Sequence, residues 1–478
     1  MIELDAVETL RRHWPELSAH RTLTPGQIAV FGGAAVTIAV AALLHPPLVM
    51  ITLLALSTAL YLAALIYRTV LLRIALRHPA LVQVSDDAAR AIPDAELPVY
   101  TILVPAYREA EVIARTAQAL ERLEYPLDRL DVKLLLEADD RETIAAARSI
   151  RTPLALDVVL VPARGPRTKP KACNYGLLRA RGDLVTIYDA EDRPEPLQLR
   201  RVVAAFAHLS PLVVCLQARL SYHNVHQNLL TRWFTAEYET WFSLMLPALA
   251  RIGGPIPLGG TSMHMRRATL ELVGGWDPYN VTEDADLGVR LQRLGYAIGV
   301  LDSTTLEEAN SDVVNWVRQR SRWYKGYLQT WLVHMRHPLR LYEDVGPRAF
   351  LGINLLLGAV PLVAVLNPAF WLLTAIWFTV QPAALAALLP APTYYPALAS
   401  MLLGNFLALY TGVIAIRVTR RADLLPAVIL SPIYWLLMSL AAIRALIQLV
   451  VAPSFWEKSV HGLDRSVAAD LVPEHAGR

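Results

Sequence analysis

Four short clusters in the middle of the chain combine residue types and spacings that can do chemistry. Asp189-Ala190-Glu191-Asp192 follows the apolar run Leu184-Val185-Thr186-Ile187-Tyr188. In an extended strand end, positions i and i+2 face the same way, so Asp189 and Glu191 can project together. Two such carboxylates can hold Mg²⁺ or Mn²⁺, whose remaining positions go to water and diphosphate oxygens. A solvated acidic turn explains the same tetrapeptide without chemistry. Asp139-Asp140 ends an earlier apolar run, Val132-Leu136, where Asp140 can cap the helix that Glu142 begins. Thr282-Glu283-Asp284 opens a helical pattern that continues to Leu291. The helix dipole favours acidic residues in a first turn, and a carboxylate fixed there also suits a general base acting on a hydroxyl. Gln319-Arg320-Ser321-Arg322-Trp323 falls within 312–335, a helix-period segment that also carries Trp316, Tyr324, Tyr327 and Trp331. An amphipathic helix lying in a membrane interface accounts for that composition. Arg322 is equally suited to a leaving diphosphate, and Trp323 to the face of a sugar ring.

The surrounding elements decide whether these clusters can meet. From Pro98 to Met335 the composition is that of a soluble domain, with β-rich runs alternating with helical patterns: Val99-Val104, a helix from Glu109 to Leu123, Val132-Leu136, a helix from Glu142, Leu156-Val161, a helix near Lys171-Arg181, and Leu184-Asp189. Such alternation predicts a mostly parallel α/β sheet, with ligands at the carboxyl ends of the strands. Asp139-Asp140 and Asp189-Glu191 then reach one sheet edge from neighbouring βα units. Outside this stretch the chain is apolar. Of its 478 residues 54% are hydrophobic and 18% charged, which points to a membrane protein. Ile28-Leu44 and Leu48-Tyr67 form a candidate helical hairpin, flanked by Arg11 and Arg12 before it and Arg68, Arg73 and Arg77 after it, so that side is expected to be cytosolic. Four more candidate spans, Phe350-Leu366, Phe370-Leu389, Ala397-Ile416 and Leu424-Leu449, bring the expected number to six. If all four cross, Arg417, Arg420 and Arg421 fall outside, against the positive-inside tendency, so one of them is expected to lie in the interface or re-enter. Cys173 and Cys215 have no pairing or zinc spacing. The net charge of +3 is scattered, which excludes nucleic acid as an expected partner. The first 26 residues carry Glu3, Asp5, Glu8, Arg11, Arg12 and Glu16, unlike a cleaved signal peptide.

In this order and at this spacing, the clusters resemble those of the processive, membrane-integrated family 2 inverting glycosyltransferases, the group of cellulose, hyaluronan and poly-N-acetylglucosamine synthases. The resemblance runs from about Val99 to Trp323. Val104-Pro105-Ala106-Tyr107-Arg108-Glu109 is similar to the family's opening strand and nucleotide-binding loop, with Pro105, Tyr107 and Glu109 as nucleotide contacts. Asp139-Asp140 matches the uridine-contacting acidic pair, and Lys169-Pro170-Lys171-Ala172-Cys173-Asn174 the Lys-Ala-Gly-Asn segment, with Lys171 toward the donor and Cys173 where glycine is usual. Asp189-Ala190-Glu191 stands at the Asp-x-Asp metal motif. There Glu191 lengthens the second arm by a methylene and leaves Asp192 as a substitute ligand. Thr282-Glu283-Asp284 matches the catalytic-base motif, with Asp284 as base. Gln319, Arg322 and Trp323 match Gln-x-x-Arg-Trp, and Gly260 and Thr261 fall in a loop near the acceptor terminus. Trp456-Gly462 loosely resembles the gating segment of such synthases.

The resemblance implies an α/β glycosyltransferase domain of the GT-A type, with a mostly parallel sheet, inserted between helical transmembrane regions. The expected boundaries are a cytosolic segment at 1–26, a transmembrane hairpin at 27–68, a catalytic domain with interfacial helices at 97–335, a membrane region at 348–451 and a tail at 452–478. It further implies a metal-dependent hexosyltransferase in a bacterial-type inner membrane, catalytic domain cytosolic, with Mg²⁺ or Mn²⁺ as cofactor. A UDP-sugar, with UDP-glucose the expected donor, would feed a growing polysaccharide, and secretion could accompany synthesis. Two alternatives stand beside this: single-sugar transfer to a lipid-linked acceptor, and a transport or assembly scaffold without turnover.

Overall fold

The computed structural model describes residues 5–380, 390–453 and 455–457. The two leading apolar stretches become helices α1 (Pro25–Leu44) and α2 (Pro46–Arg77). Thr24 starts α1 with a reciprocal cap: its hydroxyl accepts from the Gln27 amide at 3.2 Å, and the Gln27 side chain accepts from the Thr24 amide at 3.0 Å. No residue of α1 is buried, although the helix is apolar throughout, as expected of a surface that meets lipid rather than water.

The catalytic candidate is built on strands alternating with helices: β1 (Tyr100–Ala106), α3 (Ile113–Glu121), β2 (Leu130–Glu137), α4 (Arg141–Ser149), β3 (Leu156–Val161), α5 (Lys169–Leu177) and β4 (Leu184–Ile187). These follow the alternation read from the sequence. Strands β3, β2, β1 and β4 lie side by side and parallel, with Ile102 of β1 opposite Val132 of β2 and Thr186 of β4. Four carboxyl ends therefore emerge at one edge. The two-residue side-chain period splits β1 between two cores: Leu103 packs with Leu135, Ile187, Trp276 and Leu287, while Tyr100, Ile102 and Val104 pack with Leu134, Leu136 and Val202.

Beyond β4 the sheet is mixed. It adds β5 (Arg193–Pro194), β6 (Val213–Tyr222), β7 (Met263–Arg266) and β8 (Ala297–Glu307), in the spatial order β3-β2-β1-β4-β7-β6-β8-β5. Strand β7 runs antiparallel to both neighbours, and β6 pairs with β8 in parallel. Among its further helices, three bear on the site: α6 (Leu229–Thr240), α7 (Glu283–Arg293) and α8 (Val313–His334). Asp312 caps α8 by accepting from the Asn315 amide at 2.7 Å.

Among the described residues five helices are long and apolar enough to cross a membrane, where the sequence suggested six. The expected span Phe350-Leu366 and the start of Phe370-Leu389 fall on one apolar helical stretch, α9 (Pro338–Thr379), which kinks at Gly346, where φ is 73°; 381–389 lie outside the described residues. Pro368 sits inside this helix, where neighbouring helices can re-satisfy the carbonyl that a proline frees. The chain then continues through α10 (Ala391–Val418), the short helix Leu425–Ile429 and α11 (Ser431–Val451). Helix α11 turns Ala441, Ala442 and Ala445 toward Tyr324 of α8, and leaves Ile433, Leu436, Leu440, Ile443 and Ile447 exposed.

Gly182, between α5 and β4, shows how tightly the sheet edge is fitted. A Cβ there would stand 2.5 Å from the Thr101 amide nitrogen and 2.7 Å from the Val99 carbonyl oxygen, both backbone atoms. Gly182→Ala is expected to destabilise the domain by roughly 2–3 kcal/mol through overpacking, read as a lowered melting temperature of the purified protein.

Candidate active site

The carboxyl ends of β1, β2 and β4, the start of α7 and the middle of α8 enclose a cavity of about 360 Å³. Pro105, Tyr107 and Glu109 line it beyond β1, and Asp189 and Glu191 beyond β4. Glu283, Asp284, Gln319, Arg322 and Trp323 close the opposite wall, with Gly260 between the two groups. Residues scattered over more than two hundred positions thus share one space.

Asp139, Asp140, Lys171 and Thr261 are placed differently from the rest of the expected set: none is on the cavity wall. Asp139 pairs with Arg167 at 2.9 Å, and it is Arg167 that reaches the cavity. Asp140 caps α4 and accepts from the Arg108 amide at 2.5 Å, fixing the loop that carries Tyr107 and Glu109. Arg108 adopts φ 55° there, a left-handed conformation costly for a residue with a Cβ. Lys171 is fully buried, with its ammonium 2.9 Å from Glu137 and 2.9 Å from the Pro162 carbonyl oxygen. The lysine on the cavity wall is Lys169, 2.5 Å from Asp189 Oδ1. The motif names two lysines on one helix turn, and only tertiary placement distinguishes them.

Asp192 is not a third cavity carboxylate. It is buried, and its Oδ2 accepts from the Asp189 amide at 2.7 Å and from the Thr261 hydroxyl, bracing the turn that presents Asp189 and Glu191. Burial, followed by the charges of Asp189 and Glu191, pushes its carboxyl well above the ordinary range. Glu307, at the end of β8 and on the cavity wall, is pushed up by burial and then by Asp192, Asp189 and Glu191. No sequence motif marked Glu307. Burial disfavours charge on Lys169, but the Asp189 and Glu283 carboxylates outweigh it and hold the ammonium above its ordinary pKa.

The donor set fits a hard divalent cation. Asp189 and Glu191 offer oxygens to the cavity, and the buried Asp192 Oδ1 behind them has no hydrogen-bond partner. Among the described residues no group of three or more His, Cys, Asp or Glu is placed to hold an ion alone. The shell therefore needs outside oxygens, which a diphosphate supplies.

Asp284 stands at the start of α7, where its Oδ1 accepts from the Ala285 amide at 2.8 Å. Burial raises its pKa to about 6, against the pull of that amide, Lys169 and Arg322. Glu283 is raised to about 8, by burial and then by the charge of Asp284. Burial thus raises both adjacent carboxyls, Glu283 further than Asp284. Two glycines permit the approach. A Cβ on Gly260, whose φ is +79°, would fall 2.9 Å from Asp284 Oδ2, and one on Gly326 of α8 would fall 2.3 Å from Thr282 Cγ2.

On α8, Arg322 stacks on Trp456 at 4.8 Å, and its buried Nε has no hydrogen-bond partner. Burial lowers its pKa, partly offset by Glu283, Asp284 and Asp189. Trp323 stacks on Tyr238 at 6.4 Å and beneath the Arg320 guanidinium at 4.6 Å. Arg320 is clamped by Glu237 of α6 at 2.8 and 2.6 Å. Trp456 lies on the cavity wall; of the segment Trp456-Gly462, residues 458–462 lie outside the described residues.

Residues 98–326 match the model of the family described as glycosyltransferase like family 2. The chain is 28% identical over 234 residues to the probable glycosyltransferase YdaM of Bacillus subtilis (strain 168), covering 48% of this chain and 56% of that protein. It is 32% identical over 290 residues to the beta-monoglucosyldiacylglycerol synthase of Synechocystis, covering 58% and 59%. The chain thus spans less than two thirds of the length of these relatives. Among solved structures it resembles the mannosyltransferase PcManGT from Pyrobaculum calidifontis in complex with GDP-Man and Mn²⁺, at a TM-score of 0.55 and 21% identity, covering 84% of this chain and 99% of that one. That likeness concerns the fold.

The raised pKa of Asp284 has a measurable sign. A carboxylate must be ionised to act as a base, so if Asp284 has that role transfer should fall as pH drops through about 6, well above the range of an exposed aspartate. Arg322 favours the ionised form, so Arg322→Met should move this acid limb of kcat/KM to higher pH as well as lower its plateau. A limb unchanged in position would separate Arg322 from the base.

Proposed function

From a glycosyltransferase family 2 domain of GT-A fold at residues 98–326, we propose that the protein transfers a sugar from a nucleotide-sugar donor to an acceptor hydroxyl presented at the membrane, inverting the anomeric carbon. One observation carries the reading: Asp189 and Glu191 share a single cavity with Asp284, and Lys169 and Arg322 line it with them. In this reading Tyr107 and Glu109 hold the nucleotide. Mg²⁺ or Mn²⁺, held by Asp189 and Glu191, would neutralise charge on the departing diphosphate. Arg322 and Lys169 bind the same diphosphate oxygens, and Trp323 supports the acceptor sugar. Asp284 takes the proton of the acceptor hydroxyl as that oxygen attacks the anomeric carbon.

UDP-glucose is the donor and a growing polysaccharide the acceptor in this proposal, with Gln319, Arg322 and Trp323 supporting chain growth and secretion as a possible accompaniment. A lipid acceptor is the second reading. It is favoured by the relatives named beta-monoglucosyldiacylglycerol synthase, since the match to the one from Synechocystis, at 290 residues, is longer than the 98–326 domain. The catalytic domain is proposed to be cytosolic, on a bacterial-type inner membrane. Arg417, Arg420 and Arg421 support that side: Asp423, just beyond them, stands 3.6 Å from His226, and the Ala427 carbonyl accepts from Trp233 of α6 at 2.9 Å. Helix α11, alongside α8, is then interfacial, and α1, α2, α9 and α10 cross.

The test is incubation of purified protein with labelled UDP- and GDP-sugars, Mn²⁺ and membrane lipids. Polymer supports the first acceptor, a discrete lipid-linked product the second, and no transfer from any donor overturns the enzyme reading in favour of a scaffold. Asp284→Asn is expected to lower kcat by about a hundredfold or more while leaving donor binding, measured by calorimetry, near that of the wild type.

A further inference from the structure

Residues 5–24 precede the first membrane helix and have no part in the chemistry above, yet they are packed like a core. Leu10, Leu17 and Ala19 are buried, as are the polar Thr9 and Ser18. The surface they cover is the loop 274–282, which ends at the candidate base. Asp277 of that loop, fully buried, accepts from the Ala19 amide at 2.5 Å and the Ser18 hydroxyl at 3.4 Å, beside its local bond from the Tyr279 amide at 3.1 Å. Asn174 donates to the Ala6 carbonyl at 2.9 Å and to the Trp276 carbonyl at 2.8 Å, linking segment and loop. The Tyr279 hydroxyl donates to Glu8 at 2.9 Å, and the Tyr279 ring meets His20 edge-on at 4.8 Å. Gly274, at φ +85°, leaves room for Trp14, which a Cβ would approach to 3.1 Å.

The segment is gripped from its other side by the end of α8. The Arg336 guanidinium donates to the carbonyls of Pro15 at 3.1 Å, Glu16 at 2.7 Å and Ser18 at 3.1 Å, and also to that of Arg21. Gln329 of α8 donates to the Thr22 hydroxyl at 3.3 Å while its carbonyl accepts from the Val281 amide at 3.1 Å. One side chain thus ties segment, loop and helix. Without the segment, Asp277 keeps one of its three donors, and a buried carboxylate stripped of partners is costly enough to shift the loop that holds it.

We infer that residues 5–24 form an arm of the active site, a positioning element that fixes the loop 274–282 and through it the orientation of Asp284, and ties that loop to the first membrane helix. The donor-binding loop beyond β1 is held separately, by Asp140 on the Arg108 amide and Thr143 on the Glu109 amide. Loss of the arm should therefore act on the chemical step and spare donor binding. The inference rests on the assignment of Asp284 as base.

Three proteins test it: the wild type, Arg336→Ala, and a variant with residues 5–19 replaced by an equal length of Gly and Ser. Trypsin should leave Arg11, Arg12 and Arg21 of the wild type uncut and cleave the arm of Arg336→Ala. In both variants kcat should fall about tenfold while the donor KM stays within about twofold, with melting temperatures confirming a folded domain. A wild-type arm cut as fast as that of Arg336→Ala overturns the inference, as does a replacement variant that transfers at the wild-type rate. Should Arg336→Ala keep its arm guarded, the replacement variant decides. A wild type that guards its arm but transfers nothing would refute the enzyme reading and not the docking.

Discussion

The constraint on which the rest depends is an excess of carboxyl groups around one enclosed cavity. Asp189, Glu191, Asp192, Glu283, Asp284 and Glu307 crowd a space whose cationic lining is Arg167, Lys169 and Arg322. Like charges out of bulk water cannot all ionise. The protein resolves this unevenly: Asp192, Glu283 and Glu307 are driven toward the protonated form, and Lys169 is held firmly charged. Asp189 and Glu191 remain facing the cavity, where a divalent cation and its diphosphate would bring opposite charges in together. The imbalance explains why the site needs a ligand of mixed sign rather than a simple anion or a bare metal.

Such a site requires rigid walls, and α8 provides most of them. Its Gly326 admits Thr282, its Arg320 is locked in a fork with Glu237, and that guanidinium in turn covers Trp323. The same helix reaches the membrane part. Glu237 also accepts from the Tyr434 hydroxyl of α11 at 2.7 Å, and Trp331 donates to Asn354 of α9 at 3.0 Å. Catalytic walls and apolar helices are thus two faces of one element.

Legibility in the sequence followed the range of the forces involved. The βα units through β4 were readable, because their order is written in local periodicity. The reversed β7 was not, since its neighbours β4 and β6 are distant in sequence and the choice is made by tertiary packing. Lys169 and Lys171 differ by two positions on a helix, a rotation that separates the cavity from the core, and no composition reveals which one points where. Glu307 had no motif because its role comes from the position of β8. Helix α9 was divided into two spans in the sequence, whereas Pro368 between them lies inside one helix, where a proline is tolerated among apolar neighbours.

The helix-stabilising contacts expected of the clusters are present, and they are compatible with the functional roles proposed for the same residues. Asp140 is a helix cap, and by capping α4 it fixes the Arg108 amide and the loop of Tyr107 and Glu109. Asp284 does gain from a helix first turn, and the Ala285 amide that it accepts from is one force opposing its protonation. Helix α8 is amphipathic, and its cavity-lining residues Gln319, Arg322 and Trp323 are half-buried beside the fully buried face. In these cases the contact that stabilises an element also fixes the cavity-lining residue beside it.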